Sequence, residues 1–437
     1  MEIAELYLIF KSCNGVTTDS RKIPQNSIFF ALKGNSFNGN KFAEQALKEG
    51  AAFAIVDEEV IVADYLKHRV IKVANSLETL HSLGLYHREH TPAKIIALTG
   101  SNGKTTTKEL IATVLQKKYK THATKGNLNN HIGIPLTLLS MPDDTEIAVI
   151  EMGANHQKEI ESYCKYTNPE FGLITNIGKA HLEGFGGEEG VLKGKTELYD
   201  YLGDGNGKIF ISDFNEKLKN KAYGFFRDDH SFIFYGTNPN SLISGTIQPG
   251  SEFLNLSITA GNTTVELKTN LVGEYNFENV LAAACIGNYF GISLHEIKDA
   301  IESYMPTNNR SQKIRIGNNE IILDAYNANP SSMNEALKAF DKIDSKNKIV
   351  ILGEMMELGE NSKDEHDKIT SQVLSMSLQL KVFTGTGFAF LSSNKDILYF
   401  ENTDALKDWY NKQQFQNTIQ LIKGSRKNKL ETILEAH

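Results

Sequence analysis

A glycine-rich turn between a predicted strand and a predicted helix constrains the fold of this chain more than any other feature. Residues 95–98 form an apolar run typical of a buried strand, and residues 108–115 have the spacing of an amphipathic helix. Between them lies Thr-Gly-Ser-Asn-Gly-Lys-Thr-Thr at 99–106. Such a turn points several backbone N–H groups at a polyphosphate, and the helix N-terminus adds its positive end. The sequence therefore predicts a nucleotide-binding turn.

The side chains of this turn have separate expected roles in ATP binding. Lys104 would reach the terminal phosphates, and the Thr105 hydroxyl would bind Mg²⁺. Leu98 stands where the full P-loop pattern has its first glycine, so an ordinary turn with a surface lysine is the alternative. The flanking elements and the second threonine favour phosphate binding. The predicted turn residues are Gly100, Asn102, Gly103, Lys104, Thr105 and Thr106.

Bulk composition excludes several classes of protein. The net charge of −7 and the lack of a long basic run argue against a general nucleic-acid binder. The three cysteines, Cys13, Cys164 and Cys285, form no CxxC pair, which argues against a disulfide framework or a zinc site. No stretch approaches 18 apolar residues, so we expect neither a signal peptide nor a membrane span. We expect a cytoplasmic monomer.

Length and pattern predict an α/β chain of three domains. A chain of 437 residues is long enough for about three cores, and strands alternate with helices through most of it. We place the domains at 1–90, 91–311 and 312–437, with a polar linker at 87–92. The central domain would hold a mostly parallel P-loop-type sheet, interrupted by an antiparallel insert at 231–271.

Local signals place three helices in this scheme. An apolar pattern predicts a helix from Phe277 to Tyr289. Ser293 followed by Glu296 is typical of a capping box that begins a second helix. Ser362 followed by Glu365 has the same pattern and predicts a third helix start in the last domain.

Candidate catalytic residues follow predicted strands, where active residues of parallel sheets lie. Glu151 ends one strand and would hold Mg²⁺ beside the phosphate turn. His181 follows the next strand. A lone histidine is as often structural as functional, but its position just after a strand of the same sheet favours a role in the active site. Lys193 and Lys195, taken alone, fit a solvated helical face.

Several polar residues further along the chain have two interpretations. Asn276 fits a helix N-cap, whereas Asn279, inside the first turn, would reach a base or ribose. Arg310 is either a surface residue or a bridge to a phosphate. The loop at 324–330, Asp-Ala-Tyr-Asn-Ala-Asn-Pro, is a strand–turn–helix cap or a dense polar set for substrate recognition. Lys-Gly-Ser-Arg at 423–426 ends another strand and would meet an anionic group.

These motifs in this order resemble the Mur ligase family, ATP-dependent amide-forming enzymes of peptidoglycan synthesis. The likeness spans nearly the whole chain. Besides the phosphate turn and the loop at 324–330, it is carried by the stretches at 19–21, 29–34, 126–130, 151–154, 175–181, 195–197, 353–359 and 423–426, with Asn279, Arg310 and His366.

The resemblance implies a role for each domain. The first would bind a UDP substrate through Ser20, Arg21 and Lys33. The central domain would hold ATP and two Mg²⁺ ions through Lys104, Thr105, Glu151 and His181. Lys195 falls where the family carries a carbamylated lysine. The C-terminal domain, Rossmann-like, would close over ATP and bind the incoming amine.

The remaining predicted contacts also come from the resemblance. The residues expected to contact the nucleotide are Asn279, Arg310 and Asp324. The residues expected to contact the substrates are Asn129, Asn130, Tyr326, Asn327 and Asn329.

The loop at 324–330 favours one reaction within the family. The Asp-Asn-Pro-Arg motif that accompanies meso-diaminopimelate addition is absent from the sequence. The resemblance thus implies addition of D-Ala-D-Ala to UDP-N-acetylmuramoyl-tripeptide through an acyl phosphate. The alternatives are a ligase adding one amino acid to a muramyl or folate carboxylate, a nucleotide-binding partner subunit without catalysis, and a plain NTPase switch.

Overall fold

Three α/β units follow one another along the chain, each built around its own main sheet. The computed structural model describes residues 1–34, 36–226, 229–250, 252–307 and 309–435. The predicted α/β class is confirmed.

The first unit is a parallel sheet of four strands with an added two-stranded hairpin. The sheet order is β1-β2-β5-β6, and β3 pairs with β4 in the hairpin. The elements are α1 (Ile3–Lys11), β1 (Val16–Thr17), β2 (Ile28–Phe30), β3 (Lys33–Gly34), β4 (Phe37–Asn38), α2 (Ala43–Glu49), β5 (Phe53–Val56), β6 (Val70–Lys72) and α3 (Ser76–Glu89).

The central unit contains a sheet of nine strands in the order β15-β14-β13-β12-β11-β10-β7-β9-β8. Its elements are β7 (Lys94–Thr99), α4 (Lys104–Leu115), β8 (Thr121–Ala123), α5 (Gly133–Leu139), β9 (Ile147–Glu151), α6 (Glu159–Thr167), β10 (Phe171–Ile174), α7 (Leu182–Phe185), α8 (Glu188–Asp204), β11 (Lys208–Ser212), α9 (Glu216–Ala222), β12 (Phe232–Gly236), β13 (Ile243–Gln248), β14 (Phe253–Ala260), β15 (Thr263–Val272), α10 (Phe277–Tyr289) and α11 (Leu294–Ser303).

Strand β7 shows why this sheet is buried on both faces. Its side chains alternate between the faces, as the period of two requires. Ile96 and Leu98 join a core formed with α4, α10 and α11, whereas Ile95 and Ala97 join a core formed with α5, α6 and α8. A parallel strand covered by helices on both faces is apolar throughout, which explains the unbroken run in the sequence.

The antiparallel part of the central unit is the edge of the same sheet. Strand β12 pairs in parallel with β11 and with β13, whereas β13 pairs antiparallel with β14, and β14 pairs antiparallel with β15. The prediction of antiparallel strands within 231–271 is therefore confirmed for β13–β15 and wrong for β12. The prediction rests on the alternating apolar residues of β14. These residues, Leu254, Leu256 and Ile258, lie on one face of the strand and are buried in the core.

The third unit has a sheet of six strands in the order β16-β17-β21-β18-β19-β20, parallel except for the β16–β17 hairpin. Its elements are β16 (Gln312–Ile316), β17 (Asn319–Asp324), α12 (Pro330–Asp341), β18 (Lys348–Gly353), α13 (Ser362–Ser375), β19 (Leu380–Thr384), β20 (Leu398–Phe400), α14 (Thr403–Tyr410) and β21 (Ile419–Lys423). Short 3₁₀ helices lie at Gly39–Phe42, Asp64–Arg69, Asp229–Ser231, Glu274–Asn276, Gly359–Asn361, Thr386–Leu391, Arg426–Asn428 and Leu430–Leu434.

The predicted linker at 87–92 is wrong at its start, because α3 continues to Glu89. His87 and Arg88 are buried against the central unit. The His87 ring bonds to the Met141 carbonyl at 2.8 Å, and Arg88 forms an ion pair with Glu170 at 2.8 Å. These polar side chains find partners across the junction, so the first unit packs on the second through its last helix.

Of the two predicted capping boxes, one is confirmed and one is wrong. Ser293 caps α11 with Glu296 as expected. Helix α13 begins at Ser362, but Asn361 occupies the cap position and no capping box forms. The Glu365 carboxylate instead pairs with Lys179 of the central unit at 3.0 Å and with Lys368 at 2.9 Å.

Among the helices of the described ranges, none combines the length and the apolar character needed to cross a membrane.

Candidate active site

The glycine-rich turn forms a loop at the carboxyl end of β7, held by the end of β10. Gly100 has φ +145°, and a Cβ there would lie 2.0 Å from Thr175 Oγ1, so only glycine fits. Thr175 Oγ1 donates to the Asn102 carbonyl at 2.6 Å, and the Asn102 N–H donates to Asn176 Oδ1 at 3.0 Å. The residues after β10 thus shape the loop, a role that the sequence analysis did not assign to them.

Lys104 begins α4, and its side chain folds back over the loop. The ammonium donates to the Gly100 carbonyl at 2.7 Å. Burial lowers the pKa of Lys104 to about 8, although the nearby Glu151 charge acts in the opposite direction. This ammonium is buried, its charge is only partly compensated, and it lies at a helix N-terminus. Such a group is suited to bind phosphate.

Two oxygen ligands for a cation lie together beneath the loop. The Thr105 hydroxyl donates to Glu151 Oε2 at 2.9 Å, and Asn129 Nδ2 donates to Glu151 Oε1 at 2.8 Å. Mg²⁺ beside a nucleotide takes one or two protein oxygens and completes its shell with phosphates and water. Thr105 and Glu151 fit that pattern. Within the described residues, no cluster of three or more His, Cys, Asp or Glu side chains suits a metal.

His181 lies at the edge of the cleft and contacts the third unit. Its backbone is left-handed, with φ 53°, and Nδ1 forms an ion pair with the Glu357 carboxylate. The histidine lowers the pKa of Glu357 below its usual value through the hydrogen bond and its charge. His181 is therefore in the site, and Glu357, which the sequence analysis did not single out, is its neighbour.

Lys195 is buried, with 1% of its surface exposed, so the solvated face expected from its spacing alone is wrong for this residue. Its ammonium donates to the Ala154 carbonyl at 3.1 Å and lies 5.0 Å from the Phe185 ring centre. Burial, with the positive charge of Lys104, lowers the pKa of Lys195 well below its usual value. Lys193, two residues earlier, is exposed as predicted.

Asn279 supports the phosphate loop from below. Its Oδ1 accepts from Thr107 Oγ1 at 2.9 Å, and its Nδ2 donates to Asn276 Oδ1 at 2.9 Å. A Cβ at Gly103 would lie 2.6 Å from Asn279 Oδ1. Asn276 occupies the cap position of α10 as predicted, but its amide donates to the Val272 carbonyl rather than capping.

An aromatic ring contacts two cations where the central and third units meet. The Arg310 guanidinium carbon lies 3.8 Å from the Tyr326 ring centre, and that of Arg426 lies 5.6 Å from it. Asp324, at the end of β17, forms an ion pair with the buried Lys423. Polar side chains of both units therefore converge here.

Direct hydrogen bonds join the third unit to the phosphate loop and to the segment that follows β10. Asn329 Nδ2 donates to Asn102 Oδ1 at 2.7 Å, and Ser331 Oγ accepts from the Lys179 N–H at 3.1 Å. Asn327 caps its own loop by accepting from the Ala328 N–H. The sequence alone does not assign Lys179, Ser331 or Glu365 to contacts between the two units, because their partners are distant in the chain.

A cleft of about 960 Å³ brings most predicted site residues together. Gly100, Thr105 and Lys195 do not line it but contact or adjoin residues that do. The predicted residues that line it are Asn102, Gly103, Lys104, Thr106, Asn129, Asn130, Glu151, His181, Asn279, Arg310, Asp324, Tyr326, Asn327 and Asn329.

Four predicted substrate residues have other surroundings in this structure. Ser20, Arg21 and Lys33 do not line the cleft. Arg21 is exposed and pairs with Asp19, and Lys33 pairs with Asp57 at 3.1 Å. Asn130 lines the cleft, but its Oδ1 accepts from the Gly133 N–H at the start of α5.

A second cleft, of about 1240 Å³, lies between the antiparallel sheet edge and α12. Several of its charged side chains are paired with each other, as in Lys342–Glu274 at 2.7 Å and Lys338–Glu335 at 3.0 Å. We therefore place the chemistry in the cleft above the phosphate loop.

Comparison with known proteins agrees with this geometry. Three family models match in succession: "Mur ligase family, catalytic domain" at 12–88, "Mur ligase middle domain" at 98–287 and "Mur ligase, glutamate ligase domain" at 309–426. This chain belongs to the Mur ligase family.

Two curated relatives that match this chain over nearly its full length carry the same name. The UDP-N-acetylmuramoyl-tripeptide–D-alanyl-D-alanine ligase of Bacillus subtilis is 34% identical, over 97% of this chain and 92% of that protein. The ligase of the same name from Escherichia coli is 34% identical, over 97% of this chain and 93% of that protein.

Solved structures of Mur ligases share the fold. MurF from Acinetobacter baumannii superposes with a TM-score of 0.84 at 29% identity, covering 98% of this chain and 97% of that one. MurF from Thermotoga maritima in complex with ADP has the same TM-score at 24% identity, with coverage of 98% and 97%. The predicted architecture is thereby confirmed.

Proposed function

We propose that this Mur ligase joins D-alanyl-D-alanine to the carboxylate of UDP-N-acetylmuramoyl-tripeptide, with ATP converted to ADP. The observation that carries the proposal is the cleft, in which the phosphate loop of the central unit faces the Tyr-Asn-Ala-Asn-Pro loop of the third unit. The shared name of the full-length relatives supports the same reaction.

The chemistry follows from the need to activate a carboxylate. A carboxylate oxygen attacks the terminal phosphorus of ATP, the bond to ADP breaks, and an acyl phosphate forms. The amine of the dipeptide then attacks the acyl carbon, and the tetrahedral intermediate expels phosphate. Lys104 and the loop N–H groups stabilise charge on the transferred phosphoryl group. Closure of the third unit over the cleft keeps water from the acyl phosphate.

Mg²⁺ would be held by Thr105 and Glu151, with Asn129 fixing the orientation of the carboxylate. The ion supplies positive charge at the phosphoryl oxygens. His181 would serve a second Mg²⁺, on the side of the cleft where Glu357 now contacts its ring.

We propose that Lys195 is carbamylated. Its lowered pKa favours the uncharged amine, whose lone pair attacks CO₂ to form a C–N bond with loss of one proton. The product is a carbamate, and its anionic oxygens are suitable ligands for a hard cation such as Mg²⁺. A lysine ammonium, in contrast, cannot bind a cation. A carbamate at this buried position, beside the carbonyl of Ala154, would serve the second Mg²⁺ with His181.

The first unit would receive the UDP end of the substrate. Ser20, Arg21 and Lys33 lie outside the cleft, and the extended UDP-linked substrate would reach from them to the phosphate loop. We assign residues 1–90 to this role, 91–311 to ATP and 312–437 to the dipeptide. The enzyme would act as a monomer in the cytoplasm, where its nucleotide substrates are available.

Omission of single substrates tests the proposal. Purified protein with Mg²⁺, ATP and UDP-N-acetylmuramoyl-tripeptide should release ADP continuously only when D-Ala-D-Ala is added. The Lys104→Ala variant should release none under the same conditions. Turnover with single free amino acids in place of the dipeptide would assign the chain to another member of the family, and ATP binding without turnover would point to a partner subunit without catalysis.

A further inference from the structure

Three cations lie at the end of β21 and just beyond it, on the side of the cleft that the third unit forms: Lys423, Arg426 and Lys427. Lys423 is 2% exposed and is neutralised by Asp324, so it is not available to a ligand. The Arg426 side chain, in contrast, is 62% exposed and lines the cleft.

The Arg426 guanidinium is fixed on one edge and open on the other. Its Nη1 donates to Glu431 Oε1 at 2.9 Å, and its carbon lies 5.6 Å from the Tyr326 ring centre. Within the described part of the chain, neither Nε nor Nη2 of Arg426 has a hydrogen-bond acceptor. A guanidinium oriented in this way presents two N–H donors to an incoming group, and a planar carboxylate matches that fork.

Arg310 and Arg426 lie against the same ring but face different parts of the cleft. Burial is the main cause of the lowered pKa of Lys104, and the positive charge of Arg310 adds to it, which places Arg310 on the phosphate side. Lys104 and Arg310 are therefore the cations for ATP. Arg426, whose side chain is exposed and pairs with Glu431 of its own unit, is left for a second anion.

We propose that Arg426 binds the C-terminal carboxylate of the incoming dipeptide. This inference rests on the proposed function. The dipeptide brings an amine, which must lose its proton to attack, and a carboxylate at its other end, which loses water in the cleft and needs a donor. Anchoring that carboxylate beside Tyr326 holds the dipeptide by the end remote from the reaction. Arg426 is thus a specificity-determining residue that selects acceptors with a free carboxylate.

The test compares D-Ala-D-Ala with its C-terminal amide as acceptors. A charge-assisted hydrogen-bond pair makes kcat/KM of the wild type roughly 10- to 100-fold higher for the acid than for the amide. Arg426→Gln should raise KM for the acid by the same factor, leave the amide unaffected and keep KM for ATP unchanged. Arg426→Lys, which retains the charge, should keep part of the preference. Arg315→Gln, an exposed arginine on β16, is the matched control and should keep all of it.

Several results would overturn the assignment. These are equal use of acid and amide by the wild type, a preference that survives in Arg426→Gln, a preference lost in Lys427→Gln instead, and a raised KM for ATP in Arg426→Gln. A wild type that forms no ADP with either acceptor would overturn the proposed function and this assignment together.

Discussion

Asn329 and Asn102 join the third unit to the phosphate loop through a hydrogen bond of 2.7 Å between their side chains. Asn329 also caps α12, because its Oδ1 accepts from the Ser332 N–H at 2.9 Å. One side chain therefore fixes the start of a helix and the position of that helix relative to the ATP-binding loop.

These two roles of Asn329 can be separated by substitution. Asn329→Ser keeps a capping oxygen but removes the amide that reaches Asn102, so kcat/KM for ATP should fall roughly fivefold, equivalent to about 1 kcal/mol, with little loss of stability. Asn329→Ala should show the same kinetic loss and also lower the free energy of unfolding by about 1 kcal/mol. Steady-state kinetics and denaturant unfolding measure both. Unchanged kinetics in Asn329→Ser would show that the contact does not help ATP binding.

If a carbamate on Lys195 acts at the metal, added carboxylates should restore activity to a variant that lacks this lysine. Lys195→Ala should lose at least about 100-fold in kcat, because several kcal/mol of charge stabilisation depend on the metal site. Short-chain carboxylates should restore part of that activity by filling the space left by the side chain. Lys193→Ala, on the same helix but exposed, should keep wild-type activity with or without them. A fully active Lys195→Ala would remove this lysine from the site.

Stability should fall in mild acid, in part because of His366. Its Nε2 accepts from the Met355 N–H at 3.0 Å, so the ring must be neutral and Nδ1 donates to the Ser362 carbonyl at 2.7 Å. Burial lowers the pKa of His366 below 6.5. Between the folded pKa and the unfolded value near 6.5 the unfolded chain binds more protons, so stability decreases as pH falls through this window.

Thermal unfolding between pH 7.5 and pH 5 measures this contribution. His366→Asn should be less stable at pH 7.5 and should lose less Tm on acidification than the wild type. His295→Asn, at an exposed position on α11, should follow the wild-type profile. The same slope in His366→Asn as in the wild type would show that His366 does not contribute.

The features that could be predicted from the sequence depend on neighbours close in the chain. The phosphate loop, the α10 boundaries and the Ser293 cap are encoded within a few residues each. Glu151 and His181 were found because residues that follow parallel strands meet at one edge of a sheet.

The features that were missed depend on residues far apart in the chain. Spacing alone fits Lys195 to a solvated helical face, because nothing in its helix shows that Phe185 and Ala154 bury it; only the family resemblance places it in the site. The capping box at Ser362 failed because Glu365 pairs with Lys179, which is 186 residues away. The polar stretch at 87–92 predicts a linker, because nothing in the local sequence shows that His87 and Arg88 have partners across the junction.

Oxygen transfer from the substrate tests the central claim most directly. UDP-N-acetylmuramoyl-tripeptide labelled with ¹⁸O in its terminal carboxylate is incubated with ATP, Mg²⁺ and D-Ala-D-Ala, and phosphate and product are analysed by mass spectrometry. The account predicts that one labelled oxygen appears in each phosphate released and that the other product carries both alanines. Unlabelled phosphate, or a product extended by a single amino acid, would contradict it.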